Sequence, residues 1–183
     1  QRQMCIRDSA IGWGANQGMT AFFGWSTMVT DATNWGGATY CSWNLWNEFK
    51  NYEDATLEKT VDDPIRRHYS VASYGESYPE MNIENGGYIY GVTEKPGDQG
   101  ANIKKYVIGT NADNKISYKQ SSGINTYMLR LAEVYLNYTE ASMGNNSSTT
   151  DVFYFNKVRG RVGMPTKDKV TYEDLRHERR VEF

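Results

Sequence analysis

From Thr126 to Phe183 the apolar positions recur at three- and four-residue steps, the spacing that gathers side chains on one face of an α-helix. In "TYMLRLAEVYLNYTEASMG" the polar residues Arg130, Glu133, Asn137 and Glu140 fall within an arc of about 80° at 100° per residue. Most other positions, from Met128 and Leu129 to Tyr138 and Ala141, are apolar or small, which predicts a helix packed on several sides and closed by Gly144. A second helix is predicted from Thr150 to Val162, capped by Thr149 or Thr150, with Asp151 at the positive end of its dipole. Val152, Phe155, Val158 and Val162 share one face of it, Arg159 lies at the edge of that face, and Gly163 and Pro165 end it. A third helix opens at "TYED", with Thr171 as cap and Asp174 at the capping-box position. Tyr172, Leu175 and Phe183 mark its buried side, with Arg179 and Glu182 interleaved. Short loops between successive helices predict αα-hairpins.

The pattern upstream is different. Turn signals such as "GWGANQG", "TNWGG", "ENGGY", "KPGDQG", "GTNADN" and "SSG" break residues 10–123 at short intervals. Between them a helix is predicted around Trp43–Tyr52, with strand-like stretches at "YIYGV" and "KYVIG". A hundred residues of this texture make a poor independent core, so they are read as long irregular loops carried by the helical part. Residues 1–9, "QRQMCIRDS", have no apolar period and no signal-peptide core, and are read as a translated sequencing adapter. The third helix runs to Phe183 without a stop signal. The expected organisation is therefore an artefact at 1–9, a loop-rich ligand-binding segment at 10–123 and a helical segment at 124–183, truncated in its third helix.

Composition narrows the function. A formal charge of −2 is too small to draw the chain to nucleic acid or to an anionic membrane. No apolar run reaches the roughly eighteen residues that span a bilayer. Outside residues 1–9 there is one cysteine, Cys41, so neither a disulfide framework nor a thiol metal site is expected. Five Trp, fourteen Tyr and seventeen Gly in a nearly neutral chain suit neutral polar ligands.

Three motifs stand in order: "YMLRLAEVYLNYTEA", "FNKVRGRVGMP" and "DLRHERRVEF". Together they resemble the C-terminal helical part of the SusD/RagB family, whose pattern is R-x-A-E-V-x-L-x-Y-x-E-A, then N-x-V-R-x-R-x-G, then E-R-R-x-E-L followed by A-F-E-G. The matching positions are Arg130, Ala132, Glu133, Val134, Leu136, Tyr138, Glu140 and Ala141; then Asn156, Val158, Arg159, Arg161 and Gly163; then Glu178, Arg179, Arg180 and Glu182. "DDPIRRHY" at 62–69 is similar to the Asp-Pro-Arg stretch that precedes these helices. Phe183 stands where the family has Leu, and the family's signal peptide, lipidated cysteine and first helices are not in the sequence.

The resemblance implies a mainly α fold of tetratricopeptide-like hairpins with long irregular loops and a few short strands. It implies an outward-facing outer-membrane lipoprotein of Bacteroidetes that binds oligosaccharide without turnover and hands it to a SusC-like TonB-dependent transporter. The lipid anchor and the membrane association it gives would belong to the parent protein. Some members of the family take peptides instead.

The glycan-binding candidates lie in "FFGWSTMVTDATNWGGATYCSWNLW". An exposed aromatic ring can cover the apolar face of a pyranose while Asn or backbone groups bond the hydroxyl rim. Hiding about 100 Å² this way gives on the order of 2.5 kcal/mol before association costs. Trp35, between Asn34 and the Gly36–Gly37 pair, has the loop context for exposure, with Tyr40 and Asn34 beside it. Trp43 and Trp46 are three apart on a predicted helix, which favours core packing; Trp43 is kept as a fourth ligand candidate.

The helix charges are read as structural ion pairs: Arg130, Glu133, Glu140, Arg159, Arg179 and Glu182, with Arg159 facing Glu133 or Glu140. A glycosidase needs two carboxylates across a sugar, and Asp31, Glu48 and Asp54 near the aromatic segment keep that alternative open. "RHERR" lacks the second histidine of a zincin, and His68 and His177 have no third ligand, so no metal is expected. "GWGANQG" does not fit a phosphate loop, and no cofactor is implied.

Overall fold

The computed structural model describes residues 10–11, 41–80, 86–89, 101–105 and 126–183. Five helices are present among the described residues: α1 (Trp43–Lys50), α2 (Pro64–Ser70), α3 (Leu131–Met143), α4 (Phe153–Arg161) and α5 (Tyr172–Glu182). Among the described residues the strands, with β1 (Ala10–Ile11) and β8 (Thr126–Tyr127) among them, are two or three residues long and no sheet closes. This is the predicted balance of helices and short strands. The expected adapter at 1–9 and most of the expected loop segment lie outside the described residues.

Of the described residues, 10, 47–67 and 127–183 form one compact unit, and the others form a second. In the first, α3 turns Leu136, Thr139 and Met143 inward against Phe155 and Val158 of α4, Leu175 of α5 and Val170. Burying each large side chain stabilises by roughly 1.5–3 kcal/mol before entropic costs. Beside it, Val61, Val162 and Met164 form a smaller cluster with Tyr52 and Leu57. The several-sided packing predicted for α3 is not observed among the described residues. Met128, Leu129, Val134 and Tyr138 are exposed, because the elements packed on α3 cover only the Leu136 stripe.

Local chemistry sets the helix ends. The Asp174 N–H donates to Thr171 Oγ1 at 3.2 Å and the Thr171 N–H to Asp174 Oδ2 at 2.8 Å, the predicted capping box. Gly144 ends α3 at φ 57°, its N–H donating to the Ala141 carbonyl at 3.1 Å. Helix α4 begins at Phe153 instead of Thr150. Thr149 is held in strand β9 (Ser148–Thr149), which pairs with β10 (Val170–Thr171), and its hydroxyl accepts the Asp151 N–H at 3.1 Å before the helix starts. Helix α1 likewise ends at Lys50, because Tyr52 enters strand β2 (Tyr52–Asp54) opposite Val61 of β3 (Lys59–Val61). Asp63 and Pro64 start α2, with the Arg66 N–H donating to Asp63 Oδ1 at 3.1 Å.

In the second unit, β4 (Val71–Ser73) pairs antiparallel with β7 (Ala101–Ile103), and β5 (Ser77–Tyr78) with β6 (Tyr88–Ile89). Strand β6 falls inside the predicted "YIYGV"; of "KYVIG" only Lys105 is described, just beyond β7. Gly87 is required where it stands. Its φ is 102°, and a Cβ there would lie 3.1 Å from Pro79 Cα.

Candidate functional site

The charged residues of the helical unit converge on a buried lattice. Arg159, 1% exposed, donates from Nε to the Pro165 carbonyl at 2.7 Å and from Nη1 to Glu178 Oε2 at 3.0 Å. Its Nη2 stands 3.9 Å from Asp54 Oδ2. Glu178 also accepts from Arg66 Nη1 at 2.6 Å, and Arg66 pairs with Asp63 and, at 3.3 Å, with Glu182. Glu182 takes Arg161 on both oxygens at 2.6 Å and Arg130 at 3.1 Å. Lys167 donates to Asp54 at 2.5 Å and to Asp174 at 2.6 Å. Burial alone would raise the Asp174 pKa, but the hydrogen bonds from Lys167, Thr171 and Thr56 outweigh it and hold it below the usual carboxylate value.

The expected partner of Arg159 is corrected by this geometry. Its carboxylate is Glu178 on α5, not Glu133 or Glu140 on α3. Periodicity within one helix says which face a residue occupies, not which neighbour meets that face. Glu140 pairs instead with Arg179 at 2.7 Å on the surface, where Arg179 also donates to Asn137 at 2.5 Å. Glu133 lies in the first turn of α3 and has no ion-pair partner among the described residues. Asp63 and Arg66 were foreshadowed by the "DDPIRRHY" motif, whereas Asp54 and Lys167 lie in stretches with no recognisable spacing.

A second cluster ties α1 to α5. Glu48 meets His177 Nδ1 at 2.7 Å and accepts from Arg180 Nη1 at 2.9 Å, while the imidazole stacks on the Tyr52 ring at 3.4 Å. Burial lowers the His177 pKa, and the hydrogen bond to Glu48 opposes this without reversing it. Burial, followed by the nearby Asp174 and Asp54 carboxylates, pushes the Tyr52 hydroxyl up to about 12. Of the carboxylates that kept hydrolysis open, Glu48 and Asp54 are thus engaged with cations, and Asp31 lies outside the described residues.

Among the glycan candidates, Trp35, Tyr40 and Asn34 also lie outside the described residues. Trp43 is described and is 59% exposed, so core packing does not account for it. Ser42 caps its helix by accepting the Leu45 N–H at 3.2 Å. Trp46 meets the Trp43 ring edge-on at 5.5 Å, and its indole Nε1–H donates to Ser73 Oγ at 3.0 Å. The Ser73 N–H in turn donates to the buried Tyr78 hydroxyl at 2.7 Å, which donates to the Val71 carbonyl at 3.1 Å. A relay of fixed groups therefore holds an exposed indole. Nearby in the chain fold, buried Lys104 donates to Glu80 at 2.5 Å and to the His68 carbonyl at 3.0 Å, with exposed Tyr69 and Tyr74 in the same unit. These groups can offer ring faces and hydrogen bonds to a polar, uncharged ligand.

No group of three or more His, Cys, Asp or Glu side chains that could hold a metal ion occurs among the described residues, and no described helix is long and apolar enough to cross a membrane.

Comparison with known proteins gives one consistent picture. The model of the SusD family matches residues 3–183. A SusD-like protein of Bacteroides ovatus is 39% identical over 145 residues, covering 76% of this chain and 26% of the relative. A crystal structure with xylogluco-oligosaccharide is similar at TM-score 0.76 and 32% identity, over 95% of this chain and 34% of the other. A SusD-like carbohydrate-binding protein of Bacteroides fragilis is similar at TM-score 0.50 and 27% identity, over 76% of this chain and 32% of that one. The chain thus spans 26% to 34% of the length of these relatives.

Proposed function

This chain belongs to the SusD family, and from that premise we propose that the protein binds an oligosaccharide reversibly at the outer face of a bacterial outer membrane, without turning it over. The observation that carries the reading is the similarity to a structure crystallised with xylogluco-oligosaccharide. The exposed, rigidly backed Trp43 supports it, and Trp35, Asn34 and Tyr40 complete the proposed contact set within the 10–123 segment. Non-catalytic binding is further supported by the placement of Glu48 and Asp54, each paired with a cation and Asp54 buried away from any ligand.

In this reading the protein is a lipoprotein of Bacteroidetes, the group of its Bacteroides relatives, and it hands its ligand to a SusC-like TonB-dependent transporter. We read α3, α4 and α5 as tetratricopeptide-like hairpins, an architecture suited to that protein contact, with the buried Arg159–Glu178 lattice fixing their register. A panel of neutral and acidic polysaccharides tests the function, assayed both for binding and for release of reducing ends. Binding with no reducing ends is expected. Reducing-end release would replace the reading with a hydrolase, and capture of peptides in place of glycans would keep the family and change the ligand.

A further inference from the structure

The outward side of α4 carries a feature that the Trp43 region does not use and that meets the ion lattice only at Arg161. Phe153, Lys157, Gly160 and Arg161 lie at the first, fifth, eighth and ninth positions of that helix, which places them along one side. They border an open groove of about 710 Å³, whose lining also includes Thr150 and Asp151. This is within the size range of small-ligand sites.

Three observations bear on what the groove takes. Phe153 is 61% exposed yet is fixed from behind, meeting the Tyr154 ring edge-on at 5.1 Å. Tyr154 is itself packed against Tyr135 and Tyr138, both at 4.9 Å. Gly160 stands in the last turn of the helix, where glycine is still a weaker helix former than alanine, and a Cβ there would meet nothing within 4 Å. Packing inside the chain therefore does not demand glycine at 160; a molecule approaching the helix backbone from the groove would. Finally, the groove's rim carries charges of both signs. The Arg161 guanidinium rests on both oxygens of Glu182 at 2.6 Å, a carboxylate it shares with Arg130 and Arg66, and the Asp151 carboxylate shares the lining with the Lys157 ammonium. Asp151 is oriented by the Tyr138 hydroxyl, which donates to it at 2.9 Å.

An exposed ring, a bare stretch of backbone and a rim that mixes hydroxyl, carboxylate and ammonium groups match a polyhydroxylated ligand, which can both donate to Asp151 and accept from Lys157, better than a phosphate or a nucleic acid, which Asp151 would repel. We propose that this groove is a second oligosaccharide contact, with Phe153 as the ring platform, Gly160 as the point of close approach, and Asp151 and Lys157 bonding hydroxyls. The Lys157 ammonium lies 5.1 Å from the Phe153 centroid, and its flexible stem lets it swing from the ring to a sugar hydroxyl. The ligand class rests on the proposed carbohydrate function; the location does not.

The test is an NMR titration of the full 183-residue chain with xylogluco-oligosaccharide and with a cello-oligosaccharide, repeated on Phe153→Ala, Gly160→Leu and Trp43→Ala. Amide shifts at Lys157 and Gly160 are expected, and they should persist in Trp43→Ala. The groove's apparent affinity should fall tenfold or more in both Phe153→Ala and Gly160→Leu. Gly160→Leu should melt no lower than the parent, because its Cβ enters open space and leucine is the better helix former. Shifts elsewhere that vanish in Trp43→Ala, with Lys157 and Gly160 silent, would overturn the groove and leave the carbohydrate function standing. Groove shifts unaffected by Gly160→Leu and Phe153→Ala would overturn the assigned contacts, and no shift with either sugar would count against groove and function together.

Discussion

Arg159 and Glu178 meet inside the helical unit, Nη1 to Oε2 at 3.0 Å, with both side chains almost wholly buried. Two charges removed from water cost several kcal/mol unless their remaining hydrogen-bonding capacity is filled. Here Arg159 also holds the Pro165 carbonyl, and Glu178 also holds Arg66. The pair is thus the crossing point of α4, α5 and the first turn of α2.

Removing one side of that crossing should be severe. Glu178→Ala leaves Arg159 and Arg66 without their shared carboxylate and is expected to destabilise the chain by about 3–5 kcal/mol. The double variant Arg159→Met/Glu178→Leu should lose less than Glu178→Ala, since no buried charge is left alone. Urea denaturation of the three proteins checks the order, and a double variant as unstable as the single would contradict it.

The His177 environment predicts a pH dependence of definite sign. Burial holds its folded pKa below the ordinary value of 6.5. As pH falls below about 6.5 the unfolded chain takes up the proton first, so stability is full above that value and is lost as pH drops toward the folded pKa. The Asp174 carboxyl, also depressed, loses its contribution only at lower pH, as the solution falls below its ordinary 3.8. His177→Gln should therefore flatten the stability profile between about pH 7 and 5 while leaving the acid limb intact. An unchanged profile in that window would show that His177 is not the group responsible.

The capping box is a smaller, local test. Thr171→Ala removes the acceptor for the Asp174 N–H and one donor to its carboxylate, and should cost about 1 kcal/mol, read as a lower denaturation midpoint. Asp174→Asn should cost more, because Lys167 then faces Asp54 with one anionic partner fewer.

Much of this architecture was legible in the order of residues. The inward stripe Phe155, Val158 and Val162, the Gly144 stop and the Thr171–Asp174 box each follow from local spacing that needs no knowledge of the neighbour. What escaped was long-range. Asp54 meets Lys167 across 113 positions and Arg66 meets Glu178 across 112, and no periodicity within one element encodes such partners. The three-residue step to Trp46 also favoured core packing for Trp43, which is instead exposed. The difference is made by Ser73, which holds Trp46 and leaves Trp43 outside.

Exposed apolar residues on the outer side of α3 and just before it make self-association a further expectation. Tyr127, Met128, Val134 and Tyr138 are all exposed, whereas Leu175 of α5 is buried. Sedimentation should show concentration-dependent association that Met128→Lys with Val134→Lys suppresses. A parent chain that stays monomeric at high concentration would remove the patch from consideration.

The last prediction concerns the ligand itself. If sugar rings lie on the aromatic segment, the loss from removing one indole should match the apolar area it hid, and should appear in binding and not in folding. Trp43 is exposed and its contact with Trp46 is edge-on, so Trp43→Ala takes away little core packing. We expect it to weaken oligosaccharide binding by roughly tenfold, about 1.4 kcal/mol, with a melting temperature close to the parent's. Trp46→Phe differs in kind. It removes the N–H that reaches Ser73 at 3.0 Å, so the support of the Trp43 ring loosens and stability drops along with affinity. Trp35→Ala is expected to match Trp43→Ala in size. Isothermal titration with xylogluco-oligosaccharide, run beside thermal melts, separates these cases. An unchanged affinity in Trp43→Ala accompanied by a tenfold loss in Trp35→Ala would move the platform to the 34–40 stretch, and unchanged affinity in both would take the sugar off the aromatic segment altogether.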